Sequence, residues 1–193
     1  MELILVRHPR PLVAEGLCYG RSDMPVDPDE LVRVCAALQA SGLPGNVPVF
    51  SSPLHRCAAL ARRLSANVFF DARLAEMDFG DWELRSWNDI PRGEVDAWAA
   101  DLPHYRPGGG ESVLDVTRRV AGALADIRQH GGERAVVICH AGTMRLLAAL
   151  AGGSPPEQAA LAAAATPHRI GYGEVLQLPV HGGTAGLQPD TSH

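Results

Sequence analysis

Histidine stands beside arginine near the start of this chain, in Arg7-His8-Pro9-Arg10-Pro11, and similar residue types recur downstream in Ser51-Ser52-Pro53-Leu54-His55-Arg56-Cys57 and in Cys139-His140-Ala141-Gly142-Thr143. Arginine presents a planar fork of N–H donors that matches phosphate oxygens. Histidine can attack phosphorus as a nucleophile, and a second histidine can donate a hydrogen bond to the group in transit. A carboxylic acid would complete the set by protonating the leaving oxygen. The run Glu76-Met77-Asp78-Phe79-Gly80-Asp81-Trp82-Glu83 crowds carboxylates and two large aromatics around a glycine. Repulsion and burial can raise one such carboxyl into a proton donor, and the run itself does not say which. Arg7, His8, Arg56 and His140 with one of these carboxylates can transfer a phosphoryl group without a metal, the arginines supplying the positive charge.

These residues need strands to bring them together, and each follows one. Glu2 to Val6 is apolar after its first residue and is stopped by prolines, which reads as a buried strand feeding a loop. Pro9 biases His8 towards extended backbone, so Arg7 and His8 fall at the carboxyl end of that strand, where ligands bind in open α/β sheets. Val47 to Phe50 runs into Ser51 and Ser52, and the sequence predicts a helix capped by Ser52 with Pro53 in its first turn. Ala135 to Ile138 is continuously apolar, as a central parallel strand should be, and ends at His140. Further strands are expected over Asn67–Phe70 and Tyr172–Leu178. Helices are expected from Asp27-Pro28 to Gly42, from Ser112, boxed by Asp115, to about Gln129, and from Ser154-Pro155 to Ala165. Trp87 and Trp98 are expected to face inward from short helical pieces, and the loop Pro103 to Gly110 reads as a lid. The fold class is α/β, a three-layer sandwich with a mostly parallel central sheet. One unit spans 1–180, with a helical and loop insert at about 76–112, and 181–193 reads as a flexible tail.

Composition narrows the function. The 193 residues carry 17 basic and 22 acidic side chains, a formal charge of −5. Nucleic acid and anionic membrane are therefore not expected partners, and an anionic substrate has to be held by locally placed arginines. No stretch approaches the ~20 apolar residues of a membrane span, and the opening apolar run is too short for a signal peptide. Cys18, Cys35, Cys57 and Cys139 show no CxxC spacing and fit buried thiols in a reducing cytoplasm. No oligomerisation signal is evident. His168, His181 and His193 read as ordinary. No HExxH, Walker, dinucleotide or GxSxG motif occurs, and arginines beside His8 and His140 would oppose a metal cation. One rival remains. Cys139 to Arg145 has the cysteine–five residues–arginine spacing of cysteine-dependent phosphatases, but leaves Arg7, His8 and Arg56 without a task.

Taken in order, Leu5-Val6-Arg7-His8, Ser51 to Cys57, Leu74 to Glu83, Gly110-Glu111-Ser112 and Val137 to Gly142 resemble the motifs of the histidine phosphatase superfamily, the phosphoglycerate-mutase-like fold. The resemblance implies that His8 carries a phosphohistidine, that Arg7, Arg56 and His140 bind the phosphoryl group, that Glu76 is the acid and base, and that no cofactor is used. The substrate would be a small anionic phosphomonoester. Gly16 to Asp23 is similar to the α-ribazole phosphatase branch of cobalamin biosynthesis, with Tyr19 and Arg21 as substrate contacts. A broad small-molecule or sugar-phosphate phosphatase and a non-catalytic phospho-ligand-binding protein share the same core. Two positions depart from the family, which has glycine where this chain has Pro9 and Leu84. Pro9 removes a backbone N–H beside the nucleophile.

Overall fold

The structure, a computed structural model, describes residues 1–130, 132–165 and 170–180. Strands β1 (Glu2–Arg7), β2 (Val49–Ser51), β3 (Val68–Phe70), β4 (Arg134–Cys139) and β5 (Val175–Pro179) form one sheet in the order β3-β2-β4-β1-β5. All neighbours are parallel except β5, which runs antiparallel along β1. Helices cover both faces. Leu3, Leu5, Ala135 and Val137 pack towards α4 (Val113–His130), α5 (Ala141–Ala151) and α6 (Pro156–Ala165). Ile4, Val6, Val136 and Ile138 pack towards α1 (Pro28–Ala40) and α2 (His55–Leu64). That two-sided burial is why β1 and β4 read as unbroken apolar runs. The three-layer α/β arrangement expected from the sequence is the one found. The proposed tail at 181–193, with His168, His181 and His193, lies outside the described residues.

The parallel central strands put their carboxyl ends on one edge. Arg7 pairs with Cys139 and Ser51 with Ile138. The ladder continues one residue further: His8 N donates to Cys139 O at 3.1 Å and Ser52 N to Ile138 O at 3.0 Å. His8, Ser52 and His140 are thereby fixed side by side.

Several local expectations change. Asp27 caps α1, its Oδ1 accepting from Asp29 N at 2.8 Å, and Ser112 and Asp115 close a capping box. The helix after β2, however, starts at His55, not at Pro53. Pro53 holds Ser52 extended, and the Ser52 hydroxyl bonds to His140. The cap comes instead from Asp23, whose Oδ1 accepts from His55 N at 2.6 Å. Trp87 is 38% exposed and stacks on Trp98 rather than facing the core; Trp82 takes the buried place, its indole N–H given to Glu94. The Pro103–Gly110 loop is not free at its end, because Glu111 N donates to Asp78 O at 2.8 Å and Asp78 N to Glu111 Oε2 at 3.0 Å.

Leu84 keeps a left-handed backbone, φ 63°, alone among described non-glycine residues. Leu84 N donates to Cys18 O at 2.7 Å, so the turn is held although its side chain is strained there. The side chain is 50% exposed and gives little burial in return. Leu84→Gly should therefore raise stability by about 1 kcal/mol, a Tm increase of roughly 2–4 °C for a chain of this size. A thermal melt showing a lower Tm for the variant would count against strain at this turn.

Candidate active site

His8 is 2% exposed at the end of β1. Its Nδ1 lies 2.7 Å from the carbonyl oxygen of Pro9. A carbonyl only accepts, so Nδ1 carries the proton and Nε2 keeps its lone pair. Pro9 thus gives the site an acceptor in exchange for the donor it lacks. Burial, followed by the charge of Arg56, takes the pKa of His8 from an ordinary 6.5 to about 3; Arg7 adds to the drop and the Pro9 bond opposes it. The ring is neutral near pH 7, as a nucleophile requires.

His140 follows β4, with its ring centroid 5.1 Å from that of His8. Arg56 Nε donates to its Nδ1 at 3.2 Å, so the proton sits on Nε2, which lies 2.9 Å from Ser52 Oγ. Burial first, then His8 and the arginines, hold His140 well below the usual histidine range. His140 is a neutral N–H donor beside a neutral His8 ring whose Nε2 keeps its lone pair.

Arg56, in the first turn of α2, is fully buried. Its other bonds go to backbone carbonyls, Nη1 to Ser22 O at 2.7 Å and Nη2 to Gly20 O. Those carbonyls belong to a loop gripped by Glu83, whose carboxylate accepts from Gly20 N, Arg21 N, Ser22 N, Ser22 Oγ and Phe79 N at 2.5–3.2 Å. The loop approaches closely enough that a Cβ on Gly20 would stand 1.9 Å from Met77 O. Arg7 lies with its guanidinium carbon 3.9 Å from the centre of the Tyr172 ring and donates through Nη1 to Ile170 O. Its buried Nε has no hydrogen-bond partner among the described residues. A buried cationic donor without a partner beside His8 favours an anion there. Tyr172 and Tyr19 share a 2.9 Å hydroxyl bond, Tyr19 lying beside Arg56.

Glu76 joins this edge from the segment after β3. Its Oε2 accepts from Gly142 N at 3.1 Å and its Oε1 from Met77 N at 3.1 Å. Gly142 is the second residue of α5, where free N–H groups favour an anion. Only glycine fits at 142, since a Cβ there would meet Glu76 Oε1 at 2.5 Å. Glu76 and Gly142 also line a cavity of about 510 Å³ with Tyr19, Phe79, Trp87 and Trp98. The site therefore has a polar edge of histidines and arginines and an adjoining apolar, aromatic chamber, with Glu76 belonging to both.

Of the sequence-derived residues, Arg7, His8, Arg56 and His140 converge, Glu76 is tied to the same edge through Gly142, and Tyr19 stands in the cavity wall. Arg21 does not: its side chain is 57% exposed and lies 3.8 Å from Asp78, while its backbone N–H serves Glu83. Cys139 is a poor nucleophile here, because burial drives its thiol well above 9.0, and Arg145 donates to Ala163 O on α6. The sequence reading missed Glu83, Asp23, Ser52 as the partner of His140, and Tyr172.

The chain matches the family model described as histidine phosphatase superfamily (branch 1) over residues 3–170. It is 31% identical over 160 residues to the bifunctional protein Rv2228c of Mycobacterium tuberculosis, covering 78% of this chain but only 44% of that protein, so it spans less than half the length of this relative. It is 32% identical over 118 residues to the adenosylcobalamin/alpha-ribazole phosphatase of Escherichia coli, covering 56% of this chain and 58% of that one. The solved alpha-ribazole phosphatase of Shigella flexneri superposes with a TM-score of 0.74 at 26% identity, over 92% of this chain and 89% of that one.

Two outcomes follow from the geometry. Gly142→Ala pushes the Glu76 carboxylate off the α5 N-terminus, and a displacement of this size should cost on the order of 10²-fold in turnover; unchanged kcat would show that the contact does not matter. The depressed histidines also link stability to pH. Below 6.5 the unfolded chain protonates His8 while the folded chain does so only near 3, so stability is complete above 6.5 and falls as pH drops through that window. Between pH 7.5 and 5, urea midpoints should fall more for the wild type than for His8→Asn, and equal falls would remove the linkage.

Proposed function

The chain belongs to the histidine phosphatase superfamily, and we propose that it is a metal-independent phosphomonoester hydrolase that works through a phosphohistidine on His8. The carrying observation is the state of His8: Nδ1–H given to Pro9 O, Nε2 free, and the ring neutral between Arg7 and Arg56. Nε2 attacks phosphorus in line with the leaving alcohol. Arg7, through its unpartnered Nε, and Arg56 take up charge on the phosphoryl oxygens. His140 exchanges its Ser52 partner for a phosphoryl oxygen. Glu76 gives a proton to the leaving alcohol and then, as carboxylate, takes one from the water that hydrolyses the phosphohistidine. Tyr19 and Tyr172 part to admit the substrate.

For the substrate we propose α-ribazole 5′-phosphate or its cobamide form. The wall of Tyr19, Phe79, Trp87 and Trp98 supports an alcohol bearing a flat apolar base, and a chamber of about 510 Å³ lies within the range of small-molecule pockets. A broad small-molecule phosphatase is the second reading, favoured by the exposure of Trp87 at the chamber rim, which leaves that wall adjustable.

Enzyme quenched during turnover should carry acid-labile phosphate. His8→Ala should abolish both label and turnover while Cys139→Ser spares them, and activity should survive EDTA. The opposite pair of variants would transfer the mechanism to Cys139. Specificity constants on α-ribazole 5′-phosphate, 3-phosphoglycerate, nucleotides and sugar phosphates test the substrate, and a flat profile would reject the ribazole assignment in favour of the broad one.

A further inference from the structure

Arg119, on α4, has all five guanidinium N–H groups engaged. Nε donates to Glu111 Oε1 at 2.8 Å and Nη2 to Glu111 Oε2 at 2.9 Å. The remaining donors reach backbone carbonyls: Nη1 to Arg73 O at 2.7 Å and Ala75 O at 2.8 Å, and Nη2 to Glu76 O at 3.1 Å. Glu111 then clamps the chain just beyond Glu76, exchanging two bonds with the Asp78 backbone. Thr143 Oγ1 adds a 3.1 Å bond to Ala75 O from the α5 side.

These contacts replace what secondary structure does elsewhere. After the single 3-10 turn Ala72–Leu74 the backbone through Asp78 belongs to no helix or strand, so no ladder holds the carbonyls of Ala75 and Glu76, and side chains supply their partners. Lysine could not substitute, because a point charge with three donors cannot pair both carboxylate oxygens and three carbonyls at once. The carboxylate of Glu76 meets Gly142 N at 3.1 Å on one side of a fixed backbone, and a shift of the segment moves it off that donor.

We propose that the Arg119–Glu111 pair is a positioning device for the proton-transferring carboxylate, setting the place of Glu76 without touching substrate. This rests on the reading of Glu76 as the acid and base, and the test separates the two. A good leaving group departs without a proton, whereas an alkyl alcohol needs one. Arg119→Lys and Glu111→Gln, with Glu76→Gln as reference, are assayed for kcat/KM on 4-nitrophenyl phosphate and on ribose 5-phosphate; this parameter reports the step in which the alcohol leaves. For both positioning variants kcat/KM should fall at least about tenfold more on the sugar phosphate than on the nitrophenyl ester, in the same pattern as Glu76→Gln. Glu111→Gln keeps the size of the side chain and decides the matter if Arg119→Lys does not fold. Equal losses on both esters for the positioning variants, with Glu76→Gln selective, would overturn the positioning role and leave Glu76 as the acid. A Glu76→Gln variant with no leaving-group selectivity would remove the acid itself, and the positioning role with it.

Discussion

The site depends on an ion pair that never touches. Glu83 and Arg56 are opposite charges joined through a peptide group: Arg21 N–H points to Glu83 Oε1 at 2.9 Å, and Gly20 C=O, in the same peptide plane, accepts from Arg56 Nη2. The N–H and C=O of one peptide point in opposite directions, so a carboxylate on one side and a guanidinium on the other both gain from its dipole. Arg56 is then held by its carbonyl contacts with its Nε turned to His140 Nδ1, which fixes the tautomer of that histidine. The hydrogen bonds hold the Glu83 carboxyl below the usual range against the opposing effect of burial. A direct carboxylate partner would instead neutralise Arg56 where the proposed mechanism binds a phosphoryl group. Carrying the countercharge through a peptide keeps the arginine buried and still able to meet an anion.

The two histidines are prepared by the same burial. Removing them from water disfavours the imidazolium form, and the arginines add to that effect. A fixed hydrogen bond then assigns each tautomer: Pro9 O for His8, Arg56 Nε for His140. One ring is left with a free lone pair and the other with an N–H. The different parts that the proposed mechanism gives the two rings come from what each is bonded to, as both carry the same chemistry.

Much of this edge was legible from local pattern. Apolar runs ending in Arg7-His8, Ser51-Ser52 and Cys139-His140 define strands whose parallel pairing brings those ends together. The helix caps at Asp27 and Ser112 were legible for the same reason, because a cap acts within three residues. What was missed acts over distance. Asp23 caps a helix that begins 32 residues later, Glu83 grips a loop more than sixty residues before it, and Tyr19 meets Tyr172 from the other end of the chain. Such bonds leave no periodicity, and the carboxylates of 76–83 look alike until the fold assigns one to backbone N–H groups and another to the α5 N-terminus. Arg21 shows the converse: its backbone N–H is held by Glu83, while its side chain is exposed beside Asp78.

Chemistry and selectivity are drawn from different parts of the chain. The histidines and Arg7 stand at the sheet edge, where strand register fixes them, and Arg56 reaches that edge from the first turn of α2. Trp87, Trp98 and much of the chamber wall come from the segments between β3 and α4, where α3 (Arg92–Ala100) has no buried residue and Trp87 is partly open to solvent. Glu76 spans the two, touching α5 through Gly142 and the chamber through its own side chain. A change of alcohol can therefore be met by exchanging wall residues without disturbing His8. In the proposed mechanism a displacement of Glu76 alters the proton transfer whatever the wall accepts. This division explains why the backbone around Glu76 is held by Arg119, Glu111 and Thr143, while the opposite wall of the same chamber is left to stacked aromatics.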